Sequence, residues 1–563
     1  MTSQTTAKRK NKHTMKHSTL NGESYRKNGW KYVAIHGEPA ERGYAYGYLC
    51  AEDFAEVQRI LSFLMMEAYG HDWAFFVEHI TADFKQMTQT KFPEFYQEME
   101  GIARGVCAAG GATTVDEIIA WNFYCSIPYW FSSVAAGKDK DSDSQSHFRR
   151  EGGGVASCGS VAGAVGAFTG AKDRCSAFMA VGDWTVGGDI VCAHNSFADF
   201  IDGQFAYIVL SVQPAKGHAM IMQTSPCWIW SGTDFFITTA GIIGTETTIG
   251  GFVPYEKRYP IGYRIRQAMQ YGNTLDEYCA ILLHENSGDY ANSWLFGDIH
   301  GKEILRIELG LKYHNIERTR NGVFIGFNAP YDERIRNLEV QNSGFYDIRR
   351  HQGARKVRLG ELMKKYKGRL NCATARRIIA DHYDVYLKKQ NPCSRTVCSH
   401  YDLDPREFMS QADRPPPFAP RGALDGIVCD GAMAKRMSFW GRYGNSCGMA
   451  FDAKKYCQLH TQFDKFCPFL YDRPSQPWTE WGAAGAAATA VTGKSQQVTS
   501  ARLPVGNNSL RLRSLGKSLR KHTQASLRTH RRNGSHPERE RPMLDEHPLR
   551  MPKTRRLRRH RRR

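Results

Sequence analysis

The interval at which apolar residues recur changes once along this chain, and that change bounds its fold. From Glu41 to about Tyr69, Leu49, Phe54, Val57, Ile60, Leu61 and Leu64 return at about three and four, the spacing of a helix with one buried face. Similar spacing predicts helices over about 72–90 and 93–109. Thr114-Val115-Asp116-Glu117 reads as a capping box opening another. From Cys175 onward the pattern becomes short apolar or β-branched runs separated by turn residues. It predicts strands at Cys175–Val181, Asp189–His194, Phe205–Val212, His218–Gln223, Phe235–Ala240 and Ile243–Ile249, read as one antiparallel meander. A helix at 261–271 follows, and Thr274 with Glu277 opens the next. Strands return at Ser293–Asp298, Glu303–Leu309 and Gly322–Phe327, then helices at about 353–366 and 373–388. Runs of strands followed by helices predict an α+β fold with antiparallel sheets packed against helices.

Charge divides the chain differently. The net charge is +20, yet residues 494–563 hold 21 Lys/Arg against 4 Asp/Glu, and residues 1–27 hold 7 against 1. The body between them is close to neutral. Its 41% hydrophobic and 12% aromatic content excludes wholesale disorder. The expected organisation is a disordered basic arm at 1–28, one domain at 29–482 and a disordered Arg-rich tail at 483–563. Residues 132–156, polar, charged and Gly-rich, read as a loop or processing segment, and a processing linker is expected over about 132–174. The block Arg555–Arg563 attracts phosphate, whether nucleic acid or anionic lipid, but lacks interleaved aromatics for base stacking. No run of about 18 apolar residues reads as a membrane span, and no apolar leader segment opens the chain.

Fifteen cysteines, an odd number, leave at least one thiol outside any internal disulfide. Cys393, Cys398, Cys447, Cys457 and Cys467 form a late group. It has no CxxC pair and no matching His pair, so structural thiols or a disulfide are expected there in preference to zinc.

The junction Lys172-Asp173-Arg174-Cys175-Ser176-Ala177-Phe178 carries the chemistry. A polar segment ends and a strand begins on a cysteine. If the bond before Cys175 is cut, the new α-amine, with a pKa near 7.7–8.0, can take the proton of its own thiol. One residue then supplies nucleophile and base. As a strand residue alone, Cys175 also fits a small buried hydrophobe, and Cys158 and Cys192 are among its competitors.

Cys175-Ser176-Ala177-Phe178 followed by Cys192-Ala193-His194-Asn195-Ser196-Phe197 resembles the start of the mature catalytic chain in the phospholipase B-like family. Thr245–Ile249, Asn286–Trp294 and Asn391-Pro392-Cys393 with Asp402-Leu403 resemble later elements of that family. Gly37-Glu38-Pro39-Ala40-Glu41-Arg42-Gly43 resembles the opening of its acyltransferase-like relatives. The ordered matches run from about residue 29 to 481. The resemblance implies an N-terminal nucleophile hydrolase: a four-layer αββα sandwich of antiparallel sheets, related to penicillin V acylase and bile salt hydrolase. It implies a hydrolase of lipid metabolism cleaving an acyl ester or amide, a phospholipid or N-acyl amide, after autocatalytic cleavage. No metal and no organic cofactor is expected.

By position, Cys175 is the implied nucleophile. His194 and Asn195 are implied to hold the amine or the substrate. Thr248, Asn292 and Asn328 are oxyanion candidates, and Arg355 sits where relatives place an Arg near the nucleophile. Each of these also fits an ordinary strand, turn or helix-face residue. The acylase relatives carry Asp at the position of Phe197; the nearest here is Asp199. Family members are usually secreted or lysosomal. The competing expectation is a catalytically silent body whose basic tails bind nucleic acid or an anionic membrane surface. A papain-like protease is disfavoured, because no Cys-Gly-Ser-Cys-Trp context opens a helix.

Overall fold

The protein is seen in a computed structural model that describes residues 16–141, 175–341, 343–405 and 416–484. Its basic tail beyond Ala484, the arm before Lys16 and most of the expected processing segment lie outside those residues. The described residues form a mixed helix and sheet fold whose sheets are largely antiparallel.

The α-helices of eight residues or more are α1 (Pro39–Tyr69), α2 (Trp73–Lys91), α3 (Pro93–Ala108), α4 (Val115–Asn122) and α5 (Ile127–Asp141). They continue with α6 (Ile261–Tyr271), α7 (Leu275–Leu283), α8 (His351–Tyr366) and α9 (Cys372–Ile379). A ten-stranded sheet runs in the order β1 (Lys16–Thr19), β2 (Gly22–Lys27), β3 (Trp30–Gly37), β6 (Ile208–Pro214), β7 (Met220–Thr224), β8 (Phe235–Thr238), β9 (Ile242–Thr248), β10 (Asn292–Asp298), β11 (Glu303–Leu309) and β12 (His314–Thr319). A seven-stranded sheet runs β13 (Gly322–Gly326), β4 (Cys175–Val181), β5 (Val191–Asp199), β17 (Asp425–Asp430), β18 (Ser438–Tyr443) and β19 (Thr479–Gly482), with β16 (Arg421–Ala423) also paired to β5. A small hairpin, β14 (Tyr383–Asp384) with β15 (Lys389–Gln390), stands apart.

Alternation along the strands sorts side chains between clusters. Val33, Ile35, Leu210, Met222, Trp294 and Phe296 pack with the helices α1–α4, α6 and α7. Their neighbours Tyr32, Ala34, Val209, Ile221, Ile243 and Leu295 form a second cluster with Ala177, Met179, Cys192, Ile427 and Phe439 of the other sheet. The opposite face of that sheet, through Phe178, Ala180, Val191, Ala193 and Val428, packs on Leu359, Leu362 and Met363 of α8 and on Ala375, Ile378 and Ile379 of α9.

Four expectations need correction. The expected arm at 1–28 is structured from Lys16, because β1 and β2 extend the edge of β3. Their polar sequences, KHST and GESYRK, hide a pairing in which Gly22 and Ser24 turn inward. The processing segment expected at about 132–174 is helical as far as Asp141. The meander is divided: β4 and β5 pair with β13 and β17, and the chain then crosses at Phe200–Gly203 into the other sheet. The helix expected at 373–388 ends at Ile379. There Asp384 accepts the backbone N–H groups of Tyr386 and Leu387, at 3.0 and 3.3 Å, and forms a buried ion pair with Arg395.

The two capping boxes are half made. Thr114 and Thr274 accept from the N–H of Glu117 and Glu277, but Glu117 turns to Thr113, Gln58 and Trp73, and Glu277 to Asn273. A full box stands at Glu38 and Glu41. The Gly37–Gly43 segment is therefore the start of α1. Arg42 is fully buried between Glu94 and Glu98 of α3. A Cβ on Gly43 or Gly47 would lie 2.1 or 2.0 Å from the carbonyl oxygen of Glu98 or Ile102, and Gly101 and Gly105 meet α1 in the same way. The two helices cross backbone to backbone.

Candidate functional site

Cys175 is the first residue of β4 and fully buried. β4 lies between β5 and β13, with Cys175 opposite Ser196 and Ala177 opposite both His194 and Gly326. Two residues beyond the end of β13, Asn328 adopts φ +69°, a left-handed conformation that asparagine tolerates better than most residues. Its Oδ1 accepts from the backbone N–H of Cys175 at 3.3 Å, and its Nδ2 donates to the Thr248 carbonyl at 2.7 Å.

Arg355 reaches the same point from α8. Its guanidinium donates to Asn328 Oδ1 at 2.7 Å, to Ser176 Oγ at 3.1 Å and to the carbonyl oxygen of Cys175. Its Nε holds the His351 carbonyl at 3.1 Å, and the Phe197 ring lies 5.3 Å from its central carbon. Phe197 is thus a wall against this arginine. Asp199 instead pairs with Arg421.

The Cys175 thiol faces Asp234, with Sγ 3.6 Å from Oδ2. That carboxylate also accepts from the Tyr290 hydroxyl at 2.9 Å. Asp234 (φ +71°) and Tyr290 (φ +51°) are left-handed like Asn328. Three non-glycine residues in this costly region thus gather around Cys175, Asn328 at its backbone nitrogen and Tyr290 behind Asp234 at its thiol, a clustering typical of functional sites.

His194 points into the same space: a ring nitrogen, Cys175 Sγ and an Asp234 oxygen lie within 4.8 Å of one another. Burial pushes the imidazole pKa down to about 3, against a smaller opposing effect of the Glu246 backbone, so the ring is neutral. Neither nitrogen makes a hydrogen bond of ordinary geometry. Ser196 donates through Oγ to the Thr233 carbonyl at 2.9 Å, and its N–H donates to Asp425 at 2.9 Å. Gln223 also donates to Asp425, at 2.7 Å. Burial raises the Asp425 carboxyl to about 7, with the Asp234 charge a smaller cause in the same direction.

A narrow cavity of about 40 Å³ opens onto Cys175. Ser196, Thr233, Asp234 and Tyr290 form its polar side; Trp121, Tyr124, Phe197, Trp228 and Leu424 form its apolar wall. The Thr233 hydroxyl is buried with no hydrogen-bond partner.

The sequence candidates separate into two groups. Cys175, His194, Asn328 and Arg355 converge. Asn195 does not: alternation turns it to the opposite face of β5, where its Nδ2 holds the carbonyls of Ile379 (2.7 Å) and Val397 (3.2 Å). Thr248 and Asn292 face each other across β9 and β10, on the side that carries Trp294 against the helices. The Thr248 hydroxyl meets Glu246 at 3.4 Å, and neither residue lines the cavity. Asp234, Tyr290, Thr233, Ser196 and Asp425 were missed. Tyr290 lies inside the quoted Asn286–Trp294 segment. Asp234 had only the faint signal of a carboxylate in a Ser-Gly-Thr-Asp turn entering an apolar strand.

No family model matches this chain, and no curated protein matches it.

Proposed function

We propose that the chain is an acyl hydrolase of the N-terminal nucleophile type, with Cys175 as the nucleophile. On this reading the three stacked apolar clusters are those of an αββα sandwich, and the family is the phospholipase B-like one. The observation that carries the reading is the environment of one backbone nitrogen. Cys175 N, the atom that becomes a free amine after cleavage, already has an acceptor in Asn328 Oδ1, while its own thiol faces a cavity.

The chemistry needs only water. In maturation the thiol attacks the carbonyl carbon of Arg174. The peptide C–N bond breaks, the thiol proton passes to the departing amine, and a thioester forms. Water hydrolyses it, leaving a carboxylate on Arg174 and a free thiol on Cys175. In turnover the neutral amine takes the thiol proton as sulfur attacks the substrate acyl carbon, then gives a proton to the leaving amine or alcohol; water hydrolyses the resulting acyl thioester, releasing the carboxylic acid and restoring the thiol. Asn328 and Arg355 hold the nitrogen and the carbonyl of Cys175, so attack starts from a fixed geometry. The Thr233 hydroxyl is the donor available to a developing oxyanion. The aromatic wall suits an acyl chain, but a cavity of about 40 Å³ admits no more than water. Substrate entry therefore requires the site to widen.

The test is N-terminal sequencing with denaturing gels. The wild type should yield a fragment beginning at Cys175, and Cys175→Ala should give one full-length band. A wild-type chain that stays whole at acidic and neutral pH removes the proposal.

A further inference from the structure

On the outer side of the seven-stranded sheet, three separate segments bring four metal-ligating side chains to one point. They are His382, just beyond α9, Cys398 and His400 of the following loop, and Cys447 after β18. One ligand atom from each lies within 4.8 Å of the other three. His382 Nε2 is 3.1 Å from His400 Nε2, and Cys447 Sγ is 3.6 Å from the same nitrogen.

Those separations match the edges of a tetrahedron around zinc. With Zn–S near 2.3 Å and Zn–N near 2.05 Å, ligand atoms stand about 3.3 Å apart for N···N and about 3.6 Å for N···S. The surroundings fit as well. His400 turns its other nitrogen, Nδ1, toward Asp402, 3.8 Å from an Oδ1 that is buried without a hydrogen-bond donor. A carboxylate behind a ligating histidine is the usual outer support of a metal site. The backbone N–H of Met449 points at Cys447 Sγ from 3.4 Å, as it would toward a thiolate. A hydrogen bond between two imidazoles explains the histidine pair alone; it gives no reason for two sulfurs to converge on the same point.

We propose that His382, Cys398, His400 and Cys447 bind one structural zinc ion. Binding releases the two thiol protons, and two thiolates then neutralise the cation. The ion staples loops that contribute few strands of their own to the sheet. It also stands directly behind the catalytic face. The Ile379 carbonyl accepts from both Asn195 of β5 and Ser446, beside Cys447, at 2.7 Å each. On the other face β5 carries His194 and Ser196.

The experiment measures metal in the full-length protein, purified under reducing conditions from zinc-supplemented medium. About one zinc per chain is expected. Cys447→Ser and His400→Gln should each lose it, and Cys175→Ala should keep it. Cobalt-substituted wild type should show the thiolate-to-metal charge-transfer band and the tetrahedral visible bands, a readout that does not depend on a variant folding. Wild type without zinc, cobalt without the charge-transfer band, zinc retained by Cys447→Ser, or a Cys398–Cys447 disulfide as the main species would each overturn the proposal.

Discussion

The side-chain oxygen of Asn328 stands 3.3 Å from the backbone nitrogen of Cys175, and the left-handed backbone of Asn328 holds it there. A residue at φ +69° can be replaced by glycine without new backbone strain. Asn328→Gly should therefore keep the fold while removing the acceptor. Self-cleavage at Arg174–Cys175 should slow about 100-fold, the scale of a lost positioning contact. The check is a gel time course with a thermal melt alongside. Cleavage at the wild-type rate would show that Asn328 does not act on Cys175.

Arg355 should not tolerate lysine. Its fork spans Asn328, Ser176 and the Cys175 carbonyl together, and a point ammonium cannot reach all three. On the proposed reading, Arg355→Lys should lower kcat for acyl substrates by about 10–100-fold with KM little changed, since the lost contacts are to Cys175 and its neighbours. An equal fall in Arg355→Lys and in a variant of the exposed Lys364 would remove this assignment.

Two buried groups make opposite contributions to the pH dependence of stability. His194 titrates near 3 in the folded chain against an ordinary 6.5. Its contribution is present above 6.5 and is lost as pH falls toward 3, because the unfolded chain takes up the proton. Asp425 titrates near 7 against an ordinary 3.8. Its contribution is present below 3.8 and is lost as pH rises toward 7. Between 3.8 and 6.5 the two slopes cancel. Urea unfolding across this range should show stability rising with pH in Asp425→Asn and falling with pH in His194→Leu. Each differs from wild type by up to about 4 kcal/mol over the window. Curves parallel to wild type would mean that neither group is held as described.

The α1–α3 crossing gives a contrast between two glycines. A methyl group on Gly47 meets a backbone carbonyl at 2.0 Å, whereas one on Gly360 of α8 meets nothing within 4 Å. Gly47→Ala should cost about 3 kcal/mol or more, and Gly360→Ala should stabilise by about 0.5–1 kcal/mol. Chemical denaturation measures both. A neutral Gly47→Ala would mean that the helices separate readily.

Local signals made part of this molecule readable in advance. Cys175–Val181, Ile261–Tyr271 and Glu303–Leu309 have the bounds expected of them, since a charged segment, a proline or a turn marks their ends. Partners and facing depend on the other sheet, and no local pattern carries that. β4 is buried along its whole length, so nothing in its residues shows which sheet it joins. Thr248 and Asn292 were placed by resemblance, and strand alternation turns them away from the sulfur. Of the cluster at His400, the late cysteine group already holds Cys398 and Cys447, but no local spacing ties them to His382 and His400, because the four residues span 382–447 and lie on three separate segments.

β3 and β6 are neighbours in parallel, joined from Lys31–Ile208 to Gly37–Pro214, although they lie on opposite sides of the Arg174–Cys175 bond. A scission there would leave the first fragment as one end of the ten-stranded sheet, its three strands joined to the rest through the β3–β6 ladder and its helices covering them. Separating the halves would mean tearing a ladder and exposing a core, so the product should migrate as one particle on a sizing column. Excision of the half that begins at Cys175 as an independent module should yield an insoluble polypeptide.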